Sequence, residues 1–357
     1  MRGRGFCALV LMLAMLSGCG WMDGSYVSVT PHQVGLGQTG EGAVHAVRNY
    51  TELRGVLIGM IDSGTEEALF SLAEYPREEV SEDLLRAVDY VQGIYPVGAY
   101  AVETIDYNFG TGLGASALSV DITYRRSRAQ IEGIRTVRWI SGAKKEVEDA
   151  LDQFADTLVL QIAGYQETDF SAMILDYAQQ NPDRVMEVPR VSVRTFPDQG
   201  ETRVVELSFH YRTDRSELRA MREQVQPVFS SAALYVSGGA GEWTKFSQLY
   251  TFLTERSEYT AGSTITPAWS LLCQGVGDSR AFSQVYAAMC SRIGLEARVV
   301  SGRCGGELHW WNLVRIDGSW YHLDLMTDKR FAPRTDELMT GYEWDRTAYP
   351  AAPAPAE

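Results

Sequence analysis

The sequence predicts an α+β protein in which two small, duplicated α+β modules precede a C-terminal domain that runs from an amphipathic helix into a strand hairpin. Three observations carry that expectation. Over residues 46–225, stretches of strict alternation interleave with stretches of three-and-four spacing. Parts of this region recur at an offset of 87 residues, as Asp89-Tyr90 and Asp176-Tyr177 show. From Ser279 to Leu325 the pattern passes from helical spacing into strands joined by Asp317-Gly318. With 357 residues and 45% hydrophobic content, the chain can bury several cores.

The N-terminus reads Met1-Arg2-Gly3-Arg4, then an apolar run from Phe6 to Leu16, then Ser17-Gly18-Cys19. A basic start, a short apolar run and small residues form a secretion signal rather than part of the fold. Small residues directly before a cysteine match the bacterial lipobox. Residues 1–19 are therefore expected to be a lipoprotein signal peptide, with Cys19 lipidated and becoming the mature N-terminus. The alternative is an ordinary signal peptide that contains a cysteine. The apolar run is too short to span a bilayer. The expected location is the cell membrane, lipid-anchored on its extracytoplasmic face.

The net charge of −14 becomes more negative once Arg2 and Arg4 leave with the signal. That argues against nucleic acid as a partner and against a polybasic membrane contact. Residues 20–45, with four glycines between Gly35 and Gly42, are expected to be a tether.

The two modules are expected at 46–135 and 136–225. In the first, Ala68 to Tyr75 alternates as Leu158 to Tyr165 does in the second, and Leu118 to Arg125 matches Val205 to Arg212. Each unit reads helix, strand, helix, strand, strand, with the second strands half-buried. The cluster Tyr124-Arg125-Arg126-Ser127-Arg128 reads as a strand end turning into solvent. No nucleophile, base and orienting group come together in either module, so the region is expected to be a spacer or a binding module.

The C-terminal domain is expected over 226–345, followed by a flexible tail at 346–357. Trp243, Phe246, Leu249, Tyr250 and Leu253 trace a helix within 242–254. Phe282, Val285, Tyr286, Met289, Cys290 and Ile293 trace a second, which Gly294 ends and Asp278 or Ser279 caps. The Ser279 hydroxyl then sits where backbone amides point outward and negative charge is favoured; a cap alone is the plainer role. Residues 295–302 form a strand.

The Asp317-Gly318 turn pairs Ile316 with Ser319, which sets Trp311 opposite Asp324 and His309 diagonal to Asp324 on the same face. Diagonal neighbours lie roughly 7–8 Å apart at the backbone, within reach of an imidazole and a carboxylate. Trp311 and His322 share that more polar face and are expected to wall a substrate cleft. Trp310, Asn312, Val314, Ile316, Tyr321, Leu323 and Leu325 take the opposite, mostly core face.

A nucleophile position at a helix N-terminus, then a histidine and an aspartate on neighbouring strands, resembles the transglutaminase-like superfamily, whose fold is related to papain-like proteases. The resemblance runs from about Trp243 to Asp328. It rests on the segment Ala287 to Gly302, on His309-Trp310-Trp311-Asn312 for a His-x-Trp-Asn motif, and on Gly318-Ser319-Trp320-Tyr321-His322-Leu323-Asp324 for a Gly-x-Trp-Tyr-x-x-Asp motif. It implies a triad of Ser279, His309 and Asp324. The family's Gly-Val-Cys is here Gly277-Asp278-Ser279, so serine replaces the nucleophilic cysteine.

A cysteine beside a histidine can be a thiolate near neutral pH. A serine must lose its proton during attack and needs a closely placed base and oxyanion hole. The expected function is thus binding of peptide or cell-envelope polymer in a degenerate cleft. The alternative is acyl transfer or amide hydrolysis through a Ser-His-Asp triad.

With Cys7 in the signal and Cys19 lipidated, Cys273, Cys290 and Cys304 remain. Cys273 and Cys304 frame the implied site and are expected to bridge across its mouth; the rival reading gives one of them the nucleophile's part. The sequence carries no metal or cofactor motif.

Overall fold

The computed structural model describes residues 44–110, 116–262, 264–327 and 330–353. The expected signal peptide, Cys19 and nearly all of the tether lie outside the described residues, as do residues 354–357. Among the described residues, no helix is long and apolar enough to cross a membrane.

The architecture is α+β. Its first module comprises β1 (Val44–Ala46), α1 (Tyr50–Ser63), β2 (Glu67–Ser71), α2 (Val80–Gly93), α3 (Pro96–Ala101), β3 (Val102–Phe109) and β4 (Ala117–Tyr124). The sheet order is β1-β2-β4-β3, with β1 parallel to β2 and the other pairs antiparallel. Asn49 caps α1 by accepting the Glu52 N–H, and Gly64 ends it at φ 63°. Leu53, Val56, Leu57, Met60 and Ile61 of α1 pack on Leu118, Val120 and Ile122 of β4.

After the short α4 (Arg128–Glu132), the second module comprises β5 (Arg135–Trp139), α5 (Ile140–Asp152), β6 (Thr157–Gly164), α6 (Phe170–Gln180), β7 (Arg190–Phe196) and β8 (Arg203–His210). Its order, β5-β6-β8-β7, and its strand directions repeat those of the first. Each module opens with an edge strand that the sequence pattern lacks. β1 is three residues long and β5 is largely exposed, so neither carries a burial period. Arg126 also departs from expectation: its guanidinium does not turn into solvent but crosses to Glu206 of β8 at 2.9 Å.

Next come α7 (Arg215–Tyr235), α8 (Glu242–Thr254), β9 (Glu258–Tyr259), α9 (Pro267–Trp269), a π-helical turn at Ser270–Gln274, β10 (Val276–Gly277), α10 (Ser279–Arg292), β11 (Ala297–Cys304), β12 (Glu307–Ile316), β13 (Ser319–Leu323) and β14 (Tyr342–Glu343). The expected boundary at 225/226 falls inside α7. That helix is unbroken, and its Leu218, Met221, Val225 and Phe229 all belong to the C-terminal core.

The C-terminal sheet has the order β13-β12-β11-β14. One face packs Val314, Ile316 and Leu323 against Phe282, Val285 and Met289 of α10 and Phe246 and Leu249 of α8. Fully burying each such side chain contributes roughly 1.5–3 kcal/mol. The other face sets Val300, Trp311 and Leu313 under Met339 and Ala352. Residues up to 353 are therefore packed where a flexible tail was expected: Asp336 and Ala352 exchange backbone contact at 2.7 Å, and the Tyr349 hydroxyl accepts the Ser301 N–H.

The β12–β13 register is the one the Asp317-Gly318 turn implied, with Ile316 opposite Ser319 and Asn312 opposite Leu323. Both turn residues have positive φ, 48° and 87°, as a two-residue hairpin of this kind requires.

Candidate active site

The site begins at the N-terminus of α10. Asp278 is the N-cap and its Oδ1 accepts the Ala281 N–H at 2.8 Å. Gly277 is required just before it, because a Cβ there would lie 2.9 Å from Leu271 Cδ1 and 3.1 Å from Ala281 Cβ. Ser279 opens the helix, 5% exposed. In this first turn the Ser279 and Arg280 N–H groups have no intrahelical acceptor, so the partial positive end of the helix surrounds the hydroxyl. The helix is pinned to its neighbours by the Tyr286 hydroxyl on Phe246 O at 2.8 Å and by Asn312 Nδ2 on Ser283 O at 2.9 Å.

The hairpin supplies a histidine and a carboxylate. His309 Nε2 lies 2.7 Å from Asp324 Oδ2, with the carboxylate buried immediately after β13. The Tyr342 hydroxyl donates to the same oxygen at 2.6 Å, and the Met326 N–H donates to Oδ1 at 2.8 Å. Burial alone would raise the Asp324 pKa, but the hydrogen bonds from His309, Tyr342 and Met326 hold it below its ordinary value. An ionised Asp324 takes a proton from Nε2 of a neutral imidazole, which leaves the Nδ1 lone pair free to act as a base. Nδ1 makes no hydrogen bond.

Ser279 is joined to this pair through the backbone. Its hydroxyl accepts the N–H of Trp310, the residue after His309, at 3.3 Å. Ser279 and His309 themselves share no hydrogen bond.

Trp311 and His322 depart from expectation. They are 0% and 1% exposed and wall no cleft, because residues 336–352 cover the face they share. Trp311 Nε1 donates to His322 Nδ1 at 2.9 Å, and His322 Nε2 meets Asp336 Oδ1 at 2.8 Å. Burial lowers the His322 pKa, against the opposing pull of Asp336, so the ring stays neutral and its Nε2–H donates to the carboxylate. The Trp311 ring in turn stacks on His309, at 6.2 Å between centroids and 21° between planes.

Three residues escaped the sequence reasoning: Tyr342 on Asp324, Asp336 on His322, and Trp344 against Trp311 at 5.8 Å. They lie in a stretch without periodicity, where the pattern gives no signal. The open ground beside the dyad is a groove of about 420 Å3, lined by Gly302, Leu308, Trp310, Glu343 and Trp344 among others. A Cβ on Gly302 would meet Glu343 O at 2.2 Å, so glycine lets β14 close one side of the groove.

The expected bridge is not formed: Cys273, Cys290 and Cys304 are all free. Cys273 stands exposed in the π-helical turn, whereas Cys304 is paired in the sheet with Glu307 and Tyr342. Burial raises the Cys273 and Cys290 thiols, so neither is primed as a thiolate.

Comparison with curated proteins gives no match. Among solved structures, the chain is similar to a "TGase", at 12% identity over 55% of this chain and 56% of that one, with a TM-score of 0.28. A "Putative Cysteine Protease" from Cytophaga hutchinsonii is similar at 14% identity over 40% and 65%, TM-score 0.26. A "putative protease" from Parabacteroides distasonis is similar at 9% over 60% and 47%, TM-score 0.24. The chain thus spans between 47% and 65% of the lengths of these structures, and likeness at this level adds nothing to the site's geometry. A family model for the transglutaminase-like superfamily matches residues 231–325. The segment that carries Ser279, His309 and Asp324 is a transglutaminase-like domain.

Proposed function

We propose that this domain is a degenerate acyl-transfer site that holds peptide or cell-envelope polymer in the groove beside Trp310 and Trp344 without turning it over. The observation that carries the reading is Ser279: a buried hydroxyl at the nucleophile position, bonded to the Trp310 N–H and not to the His309 imidazole. A serine with no base on its proton is a weak nucleophile. The groove offers two indole rings and the peptide groups of β14, which suit an extended chain with amide bonds. Titrating the 15N-labelled protein with a short peptide and with soluble peptidoglycan fragments tests this. Shifts should concentrate at the Trp310 and Trp344 indoles; saturable binding that leaves both unmoved removes the groove from the account.

A second reading, a working Ser-His-Asp hydrolase or acyltransferase, is favoured by the intact His309–Asp324 pair and the free Nδ1. Apo hydrogen bonds in active sites often tighten only with substrate bound.

The protein is further proposed to be exported and lipid-anchored through Cys19, on the strength of the lipobox-like Leu16-Ser17-Gly18-Cys19. Cys19→Ala should move the protein from the membrane to the soluble fraction. Unchanged membrane retention would exclude the anchor.

A further inference from the structure

The first module sets α3 and α4 against the outer face of the second module's sheet, and the junction encloses a cavity of about 260 Å3. Tyr100 reaches it from α3, Ala129 and Gln130 from α4, Thr157 and Val159 from β6, and Glu206 from β8. Val159 is the direct cross-strand partner of Glu206, so the two side chains share the outer face.

Two polar groups in this cavity have unmet hydrogen-bonding capacity. Tyr100 is 0% exposed and its hydroxyl has no hydrogen-bond partner. Glu206 is 6% exposed; its Oε2 accepts from Arg126 at 2.9 Å and from Arg194, whereas its Oε1 accepts from no protein group. A buried hydroxyl left unpaired costs about 1–3 kcal/mol, and native structures hold few of them. The space available is several times the roughly 30 Å3 that one water takes in the liquid.

The chemistry narrows the occupant. A free carboxylate oxygen accepts, and a tyrosine hydroxyl both donates and accepts. The Arg126 and Arg194 guanidiniums disfavour a cation, and the Glu206 carboxylate disfavours an anion. Val159 and Ala129 give an apolar wall for C–H groups. We propose that the cavity between the modules binds a neutral polyhydroxylated ring the size of one monosaccharide, with one ring hydroxyl donating to Glu206 Oε1 and another oxygen accepting from Tyr100. This is independent of the C-terminal site and gives the modules a recognition role.

The test is isothermal titration of the full chain with glucose, with N-acetylglucosamine and with their methyl glycosides. At least one should bind in the millimolar range or tighter, and Tyr100→Phe, which keeps the ring and loses only the hydroxyl, should weaken it by about tenfold or more. A thermal melt of Tyr100→Phe close to that of the wild type separates this loss from misfolding. If methyl glycosides bind as well as the free sugars, the ligand is the end of a glycan; if only the free sugars bind, the anomeric hydroxyl lies inside the cavity. Absence of binding by all four at tens of millimolar would mean that water alone fills the space and would overturn the proposal. Binding that Tyr100→Phe leaves unchanged would overturn it too.

Discussion

His309 Nε2 stands 2.7 Å from Asp324 Oδ2, while the Tyr342 hydroxyl donates to the same oxygen at 2.6 Å. One buried carboxylate oxygen thus ties together β12, the end of β13 and β14. The histidine's orientation depends on a residue that arrives from the last packed segment of the chain.

Asp324 should make stability depend on acid. Its folded pKa lies below the ordinary value, so its contribution is fully present above the unfolded pKa of roughly 3.9 and is lost as pH falls through the folded one. Asp324→Asn should therefore cost about 1–3 kcal/mol at pH 7. Urea melts of the two proteins should converge below about pH 4. A gap that persists unchanged at pH 3 would mean that the carboxylate's charge is not what stabilises the hairpin.

His322 should act in a different window. Burial depresses its folded pKa, so its contribution is present above the unfolded pKa of about 6.5 and declines as pH falls toward the folded value. The wild type should lose up to about 1.4 kcal/mol per pH unit in that range. His322→Gln, though less stable at pH 7.5, should show a shallower slope; equal slopes would assign the effect to another group.

The hairpin was legible in the sequence because Asp317-Gly318 fixes a two-residue turn, and from that turn the register and the His309–Asp324 diagonal follow. The face of each strand residue was legible too, but what covers the face was not. Trp311 and His322 sit on the predicted side, yet residues 336–352 bury them. That segment holds only the two-residue β14 and one helical turn, so its role comes from tertiary contacts that leave no period in the chain. The same holds for Arg126, whose partner Glu206 lies 80 residues away. The 225/226 boundary failed for another reason: α7 is one amphipathic helix whose apolar stripe runs through it.

Tyr342→Phe should cost about 1.5–3 kcal/mol, as expected for a hydrogen bond to a charged group. It should also raise the Asp324 pKa toward its ordinary value, moving the acid transition up in pH. NMR titration of the Asp324 carboxyl carbon checks this directly; an unmoved midpoint would show that His309 and Met326 alone hold the carboxylate.

Gly302→Ala should displace β14, since the new Cβ would lie 2.2 Å from Glu343 O. Backbone cannot yield as a flexible side chain can, and overpacking of this kind costs about 1–3 kcal/mol. The fluorescence of Trp344 should shift to the red as its contact with Trp311 loosens. A variant with wild-type stability and spectrum would show that β14 tolerates the added atom.

The central claim is that the scaffold is intact and the nucleophile is missing. Wild type, Ser279→Ala and Ser279→Cys are incubated with amide substrates and with an acyl-trapping probe, and labelled sites are located by peptide mass spectrometry. The account predicts no turnover by the wild type or the alanine variant, and acylation at position 279 only where cysteine stands there. Turnover by the wild type that disappears in Ser279→Ala would contradict it and establish a serine enzyme.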